Sequence, residues 1–217
     1  MTQLLDTIEI ETAPNPTVSI IWMHGLGADG NDFVPIAQEL DLAEMPSIRF
    51  VFPHAPMQPV TINNGYVMRA WYDVSLADLE GNSRRADEKG VRTSQNAISR
   101  LIEREVARGM ASQNIVLAGF SQGGAIALQT GLRYPQRLAG IMALSTYVPL
   151  AESLPQEAAA ANFKTPIFMA HGTHDPVVPY AMGSGSRELL GKMGYNVEWH
   201  DYPMEHSVCL EEMRDIS

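Results

Sequence analysis

Basic residues, cysteines and long apolar runs are all scarce in this sequence. The chain of 217 residues has 15 Lys and Arg against 25 Asp and Glu, which gives a net charge of −10. A charge of this sign repels phosphate backbones and anionic membrane surfaces, so nucleic acid is not an expected partner. The single cysteine, Cys209, cannot form an internal disulfide, and nothing in the sequence therefore requires an oxidising compartment.

The sequence also lacks the signals of a secretory leader and of a membrane span. Its start, "MTQLLDTIEIETAPNP", is acidic and has neither a basic nor an apolar signal region. No later apolar run is long enough to cross a bilayer. We therefore expect a cytoplasmic protein with no stable membrane insertion. With 45% hydrophobic and 18% charged residues and no linker-like stretch, residues 1–217 are expected to form a single domain.

Apolar segments with the length and flanks of buried strands alternate with helical patterns. The predicted strands are "VSIIWMHG", "IRFVFPHA", "NIVLAGFS", "LAGIMALST", "PIFMAHGTHD" and "NVEWHDYP". The predicted helices are "NDFVPIAQEL", "DEKGVRTSQNAISRLIEREVARG", "GGAIALQTGLRYP", "YAMGSGSRELLGKMG" and "HSVCLEEMRDIS". This alternation predicts an α/β fold with a mostly parallel central sheet and helices on both faces. Functional residues are expected just after the strands, where the loops gather.

Residues 55–87 interrupt the alternation. The segment is rich in Pro, Asn, Gly and Met and has little sustained periodicity, which predicts a loop excursion over one end of the sheet. Long excursions are often functional, although a decorated surface loop is the alternative. The Met and aromatic residues of positions 57–72 are compatible with an apolar, adaptable acyl site and equally with core packing.

Ser121 lies in the pattern G-x-S-x-G, between a predicted strand and a predicted helix. A serine hydroxyl is a weak nucleophile unless it is held exposed beside a base. A sharp strand-to-helix turn provides that exposure, and it leaves no room for a Cβ at Gly119 and Gly123. The helix N-terminus also favours negative charge that develops there. Ser121 is therefore the candidate nucleophile, and a small residue packed in a tight turn is the alternative.

A serine on such a turn is followed along the chain by an acid and then by a histidine. His206 follows the last predicted strand, where this order requires a base. His171 and His174 share the turn that would carry the acid. His200 lies within strand alternation on the face opposite Trp199, so we expect it to be solvated.

Asp175 is the candidate acid. It ends "PIFMAHGTHD" and precedes "PVVP", whose prolines would stiffen the loop around its carboxylate. Asp201 is closer to the candidate base along the chain, but its strand pattern indicates a surface carboxylate. The alternative for Asp175 is a turn cap before proline.

Acyl transfer also requires backbone donors for an oxyanion, one of which is the residue after the nucleophile. Gln122 occupies that position. The glycine-rich loop "HGLGADG" is expected to supply the second donor through the N–H of Leu26, since Gly25 and Gly27 let the chain turn its amides inward. His24 is expected to brace this loop. The histidines have no metal-binding spacing, and we expect neither a metal nor another cofactor.

Five segments together resemble the phospholipase/carboxylesterase family of α/β-hydrolases, which includes bacterial carboxylesterases and acyl-protein thioesterases. They are "WMHGLGADGNDF", "FPHAPMQPVTINNGYVMRAWYD", "LAGFSQGGAIAL", "HGTHDPVVP" and "MEHSVC". The resemblance implies an α/β-hydrolase fold without a large separate cap domain. It also implies Ser121, Asp175 and His206 as catalytic residues, and Leu26 and Gln122 as the oxyanion hole.

The activity implied by the resemblance is a serine carboxylesterase for short- to medium-chain acyl esters, extending in some relatives to acyl thioesters or lysophospholipids. Trp71 is similar to part of the family's acyl-binding wall, and Met68, Pro176 and Val177 are expected to contact substrate with it. The resemblance allows a homodimer, which no sequence pattern tests. Relatives carry the last helix further than "EEMRDIS", which leaves open whether the natural chain extends beyond Ser217.

Two rival classes of function are kept open. A ligand- or protein-binding module could use a hydrolase fold without catalysis, since a fold alone does not establish an activity. A peptidase on the same scaffold would differ by hydrolysing amides in place of esters. Comparing a set of esters with matched amides separates these readings.

Overall fold

The computed structural model describes residues 4–79 and 87–217. Its strands are β1 (Thr7–Glu11), β2 (Val18–Met23), β3 (Ile48–Pro53), β4 (Met57–Val60), β5 (Tyr66–Arg69), β6 (Ile115–Phe120), β7 (Gly140–Leu144), β8 (Ile167–Gly172) and β9 (Val197–Tyr202). Its α-helices are α1 (Val34–Glu39), α2 (Leu76–Leu79), α3 (Glu88–Ala107), α4 (Gln122–Gly131), α5 (Leu154–Glu157), α6 (Tyr180–Lys192) and α7 (Leu210–Ile216).

A seven-stranded sheet organises the described residues, in the order β1-β3-β2-β6-β7-β8-β9. β1 is antiparallel to β3, and the other neighbouring pairs are parallel. All of the predicted strands are confirmed, and so is the mostly parallel sheet. The edge strand β1 was not predicted, because "TIEIE" is short and half-exposed and is held mainly by its pairing with β3. The carboxyl ends of the parallel strands therefore meet at one edge, as required for a site.

Apolar clusters on opposite faces of the sheet show why helices cover both. One cluster joins strand residues such as Ile21 and Leu117 to α3 and α4 residues that include Ile98, Leu101 and Ile126. The other joins Trp22, Phe50 and Phe52 to residues of α1 and α7. No helix within the described ranges is both long and apolar enough to cross a membrane.

The helix α4 lies at the centre of the fold and is buried along its whole length. A Cβ on Gly123 would overlap the carbonyl oxygens of Met23 and His24. A Cβ on Gly131 would overlap the side chain of Ile141. The glycines of this helix therefore permit its close approach to β2 and β7, and that approach fixes where the helix begins.

The excursion contains more regular structure than the sequence predicts. β4 and β5 pair as an antiparallel hairpin, with a short 3₁₀ turn over Thr61–Asn63 between them. The turn ends with Asn64 and Gly65 at positive φ, which lets the chain reverse within two residues. Residues 80–86 of the predicted loop lie outside the described residues.

Glu212 on α7 is a buried carboxyl group. Its side chain is fully buried, and neither carboxyl oxygen makes a hydrogen bond of good geometry with the described residues. Burial raises the pKa of Glu212 to about 7, the Asp215 carboxylate adds to the rise, and the Cys209 backbone opposes it only in part. Because a Glu side chain in an unfolded chain has a pKa of about 4.3, the folded state holds one extra proton between about pH 4.3 and 7. Stability therefore falls as pH rises through this window.

We predict that Glu212→Gln removes this pH dependence, because the amide is neutral at every pH. Its free energy of unfolding should exceed that of the parent by about 3–4 kcal/mol at pH 8 and should match it near pH 4.5. Urea unfolding at both pH values measures the difference, with the exposed neighbour Glu211→Gln as control. An equal change at both pH values would contradict the prediction.

Candidate active site

Ser121 lies at the junction of β6 and α4 in a backbone conformation that favours glycine. Its φ is 54° and its ψ is −122°. The Ser121 N–H donates to the Leu144 carbonyl at 2.8 Å. A Cβ on Gly119 would overlap the backbone of Gly123. The predicted reason for glycine on both sides of the serine is thus confirmed, and the turn projects the hydroxyl to the end of the sheet.

The structure brings Ser121, His206 and Asp175 into one hydrogen-bonded chain. His206 Nε2 lies 2.9 Å from Ser121 Oγ, and His206 Nδ1 lies 2.6 Å from Asp175 Oδ2. Because a carboxylate only accepts hydrogen bonds, the Nδ1–H donates to Asp175. The Nε2 lone pair then faces the serine hydroxyl, which is the tautomer that a general base requires.

Asp175 is oriented by its own loop. Its Oδ1 accepts from the N–H groups of Val177 and Val178, both at 2.8 Å. His171 supports the loop from below, since its Nε2 lies 2.9 Å from the Val178 carbonyl oxygen and must donate to it. Burial lowers the pKa of His171, so the ring stays neutral. A Cβ on Gly183 would overlap this ring, so α6 also fixes its place.

The rival residues do not join this chain. Asp201 is exposed on β9, where Tyr180 donates to it at 3.3 Å. His200 is half-buried rather than fully solvated and pairs with Glu198 Oε1 at 2.9 Å. His174 is exposed. In the two described ranges, no group of three or more His, Cys, Asp or Glu side chains is arranged to hold a metal ion.

The loop that follows β2 lies against Ser121. A Cβ built on Gly25 would be 3.5 Å from the Ser121 Cβ. His24 braces the loop as predicted: its Nε2 accepts from the Ala55 N–H at 3.0 Å, so its Nδ1–H donates to the Gly25 carbonyl at 2.7 Å. Burial lowers the pKa of His24 to about 4. No hydrogen bond among the described residues uses the N–H of Leu26, which leaves it available beside the serine.

The side chain of Gln122 fastens the excursion to the start of α4. Its Oε1 accepts from the Trp71 N–H at 2.8 Å, and its Nε2 donates to the Tyr72 carbonyl at 2.7 Å. The Trp71 ring also donates to the His24 carbonyl at 2.9 Å, and Ser94 Oγ donates to the Trp71 carbonyl. The backbone of residues 71–72 is therefore held by α3 and α4, and the Trp71 ring is held by the loop after β2.

A cavity of about 180 Å³ opens beside Ser121. Its described lining is mostly apolar and consists of Leu26, Ile62, Asn63, Tyr72, Val74, Ser121, Gln122, Tyr147, Val177 and Val178. Both candidate oxyanion residues and the expected contact residue Val177 are among them.

The other three expected substrate contacts lie outside the described lining of this cavity. Trp71 is not among the described residues that line the cavity. The residue is 1% exposed, because its ring is buried in the core. Met68 packs instead against the small cluster of Val60, Ala70 and Val74, which favours the core-packing reading of that methionine. Pro176 is exposed and also lies outside the described lining.

Two features of the site were missed by the sequence analysis. Thr146 Oγ1 donates to the Ser121 carbonyl at 2.6 Å and so supports the turn from the neighbouring strand end. The hydroxyls of Tyr72 and Tyr147 meet at 2.9 Å in the cavity. The available signal was the polar stretch directly after β7, but only the sheet order places β7 next to β6.

Comparison with known proteins finds relatives that match nearly the whole chain. The phospholipase/carboxylesterase family profile matches residues 6–217. An acyl-protein thioesterase 1 from Neurospora crassa is 43% identical over 92% of this chain and 84% of its own length. The Arabidopsis thaliana SOBER1 crystal structure is 35% identical, with a TM-score of 0.86 over 92% of this chain and 95% of that one. Zea mays acyl-protein thioesterase 2 has a TM-score of 0.82 at 26% identity, over 97% and 95%. The chain belongs to the phospholipase/carboxylesterase family of α/β-hydrolases.

Proposed function

We propose that this protein is a serine hydrolase that cleaves carboxylic esters through an acyl-enzyme. The observation that carries the proposal is the hydrogen-bonded chain from Ser121 through His206 to Asp175, with distances of 2.9 and 2.6 Å, at the mouth of a largely apolar cavity. Nucleophile, base and orienting acid are then in place before substrate arrives.

In the proposed first step, the Ser121 oxygen attacks the ester carbonyl carbon while His206 Nε2 takes the hydroxyl proton. The tetrahedral intermediate collapses, the ester C–O bond breaks, and His206 returns the proton to the departing alcohol. Asp175 holds the Nδ1–H and stabilises the imidazolium that forms. Water then repeats the sequence on the acyl-enzyme and releases the acid. This mechanism uses no metal and no organic cofactor.

The negative oxygen of each tetrahedral intermediate requires backbone donors. We propose the N–H groups of Gln122 and Leu26 for this role. Gln122 is the first residue of α4, where a backbone N–H has no partner within the helix and the helix dipole is positive. Leu26 lies on the loop after β2, and it lines the same cavity as Gln122 and Ser121, which supports the pairing of the two donors.

The dimensions of the cavity favour short- to medium-chain acyl groups. Its volume of about 180 Å³ is below the range of roughly 300–1,000 Å³ typical of pockets for drug-sized ligands. Relatives named acyl-protein thioesterase extend the proposal to acyl thioesters. The family description names phospholipases, and we include lysophospholipids in the proposal on that basis. A cytoplasmic location is proposed with it, since the single cysteine requires no oxidising compartment.

We predict that Ser121→Ala lowers kcat for p-nitrophenyl esters by at least about 10⁴-fold, because the nucleophile is lost. The assay uses esters from acetate to palmitate, and the parent should have its highest kcat/KM between acetate and octanoate. Ser207→Ala, an exposed serine next to His206, is the matched control and should keep parental activity. If Ser121→Ala hydrolyses these esters at the parental rate, Ser121 is not the nucleophile and the proposed mechanism fails. If a folded parent hydrolyses none of them, the binding-module reading replaces this proposal.

Asp175→Asn should lower kcat by about 10⁴-fold with little loss of stability. The asparagine oxygen can still accept from Val177 and Val178, while its NH₂ group would face His206 Nδ1 and favour the wrong tautomer. Kinetics and thermal unfolding of the variant measure both effects. Activity within tenfold of the parent would show that Asp175 only shapes the loop.

A further inference from the structure

Two tyrosine hydroxyls meet inside the cavity. Tyr72 Oη and Tyr147 Oη are 2.9 Å apart, and both side chains are among the lining residues. Tyr72 comes from the excursion and is 3% exposed, while Tyr147 follows β7 and is half-buried. The pair is a polar spot on a surface formed mainly by aliphatic side chains such as Ile62, Val74 and Val178.

The two tyrosine hydroxyls have two protons but share only one hydrogen bond. Burial raises the pKa of both phenols, so each keeps its proton at neutral pH. One of the two protons forms the hydrogen bond between the oxygens. Within residues 4–79 and 87–217, the hydrogen bonds give neither hydroxyl a second acceptor. The second proton is therefore available to a group that enters the cavity.

The other polar side chains that line the cavity are less suited to donate a hydrogen bond to a bound group. Both ends of the Gln122 amide are committed to the backbone of Trp71 and Tyr72. Asn63 is exposed at the rim, and its Nδ2 lies 3.3 Å from the sulfur of Met68. Ser121 is the proposed nucleophile. The tyrosine pair is thus the donor that a bound group meets beyond the serine.

The group that enters the cavity is the acyl part of the substrate. Leu26 and Gln122, whose N–H groups would hold the carbonyl oxygen, both line the cavity. His206, which would return a proton to the departing alcohol, is absent from the lining formed by the described residues. The alcohol therefore leaves on the side of His206, and the acyl chain remains between the apolar side chains and the tyrosines.

We infer that the Tyr72–Tyr147 hydroxyl pair selects acyl groups that carry an oxygen atom, as an ether, hydroxyl or carbonyl, over plain alkyl chains of equal length. The inference rests on the proposed ester hydrolysis at Ser121. A plain chain covers the free hydroxyl without offering it an acceptor, whereas an oxygen in the chain accepts a hydrogen bond from it.

Three p-nitrophenyl esters of equal chain length test the selection. Pentanoate is the alkyl reference, and 3-methoxypropionate and ethoxyacetate replace one methylene with an ether oxygen at successive positions. The measured quantity is the ratio of kcat/KM for each ether ester to that for pentanoate. Dividing the parent's ratio by a variant's ratio cancels the different intrinsic reactivities of the esters.

The double variant Tyr72→Phe/Tyr147→Phe should lower this ratio by roughly three- to tenfold for at least one ether ester, as expected for one neutral hydrogen bond. Each single variant should lower it by no more than this factor, because the hydroxyl that remains loses its partner and keeps one proton to donate. Tyr66→Phe is the matched control, since it removes an exposed hydroxyl from the hairpin, and it should leave the ratio unchanged.

The outcomes separate this inference from the proposed function. A ratio unchanged within twofold in a double variant that still hydrolyses pentanoate overturns the inference and leaves ester hydrolysis intact. An equal loss for all three esters, with a lower thermal midpoint, also overturns it and makes the pair a tie between two loops. Hydrolysis that persists in Ser121→Ala would instead refute the proposed function.

Discussion

The whole arrangement depends on one strained residue. Ser121 holds a positive φ of 54°, which costs a residue with a side chain on the order of 1–3 kcal/mol. The strain persists because every neighbour opposes its relaxation: Gly119 and Gly123 leave no space for the turn to shift, and Leu144 and Thr146 hydrogen-bond its backbone. The turn holds Ser121 Oγ 2.9 Å from His206 Nε2, and a relaxed backbone at Ser121 would change that distance. The packing of a fully buried helix thus determines where one oxygen atom lies.

Gln122 links the turn at Ser121 to the Trp71–Tyr72 segment beside the cavity. Its backbone begins α4, and its side chain holds the Trp71–Tyr72 segment at 2.8 and 2.7 Å. The same segment carries Tyr72 into the cavity and packs Trp71 against His24. The position of the Trp71–Tyr72 segment is therefore tied to the position of the proposed oxyanion donor, since Gln122 provides both contacts. The same contacts anchor the chain directly after the β4–β5 hairpin.

Three histidines near the site differ in role because their hydrogen bonds differ. His24 and His171 are buried, and burial lowers the pKa of each, so both remain neutral and hold backbone carbonyls in place. His206 is the one whose two ring nitrogens face a carboxylate and a serine. A histidine therefore serves here as a brace or as the proposed base according to the partners that the fold supplies. Asp175 connects the two roles, since it contacts both the loop that His171 braces and the ring of His206.

The sequence alone determined the order of the parallel strands along the chain, the turn at Ser121 and the pairing of that serine with Asp175 and His206. These features follow from local rules: apolar periodicity, glycine at positions without room for a Cβ, and a fixed chain order of site residues. Tertiary structure alone decided that Trp71 is buried in the core and not exposed to the cavity. It also decided that Tyr72 meets Tyr147, because these two residues are 75 positions apart in the chain. It also decided the hairpin in the excursion, whose strands are short and pair mainly with each other. Side-chain direction in such a segment depends on what packs against it, and no local pattern encodes that.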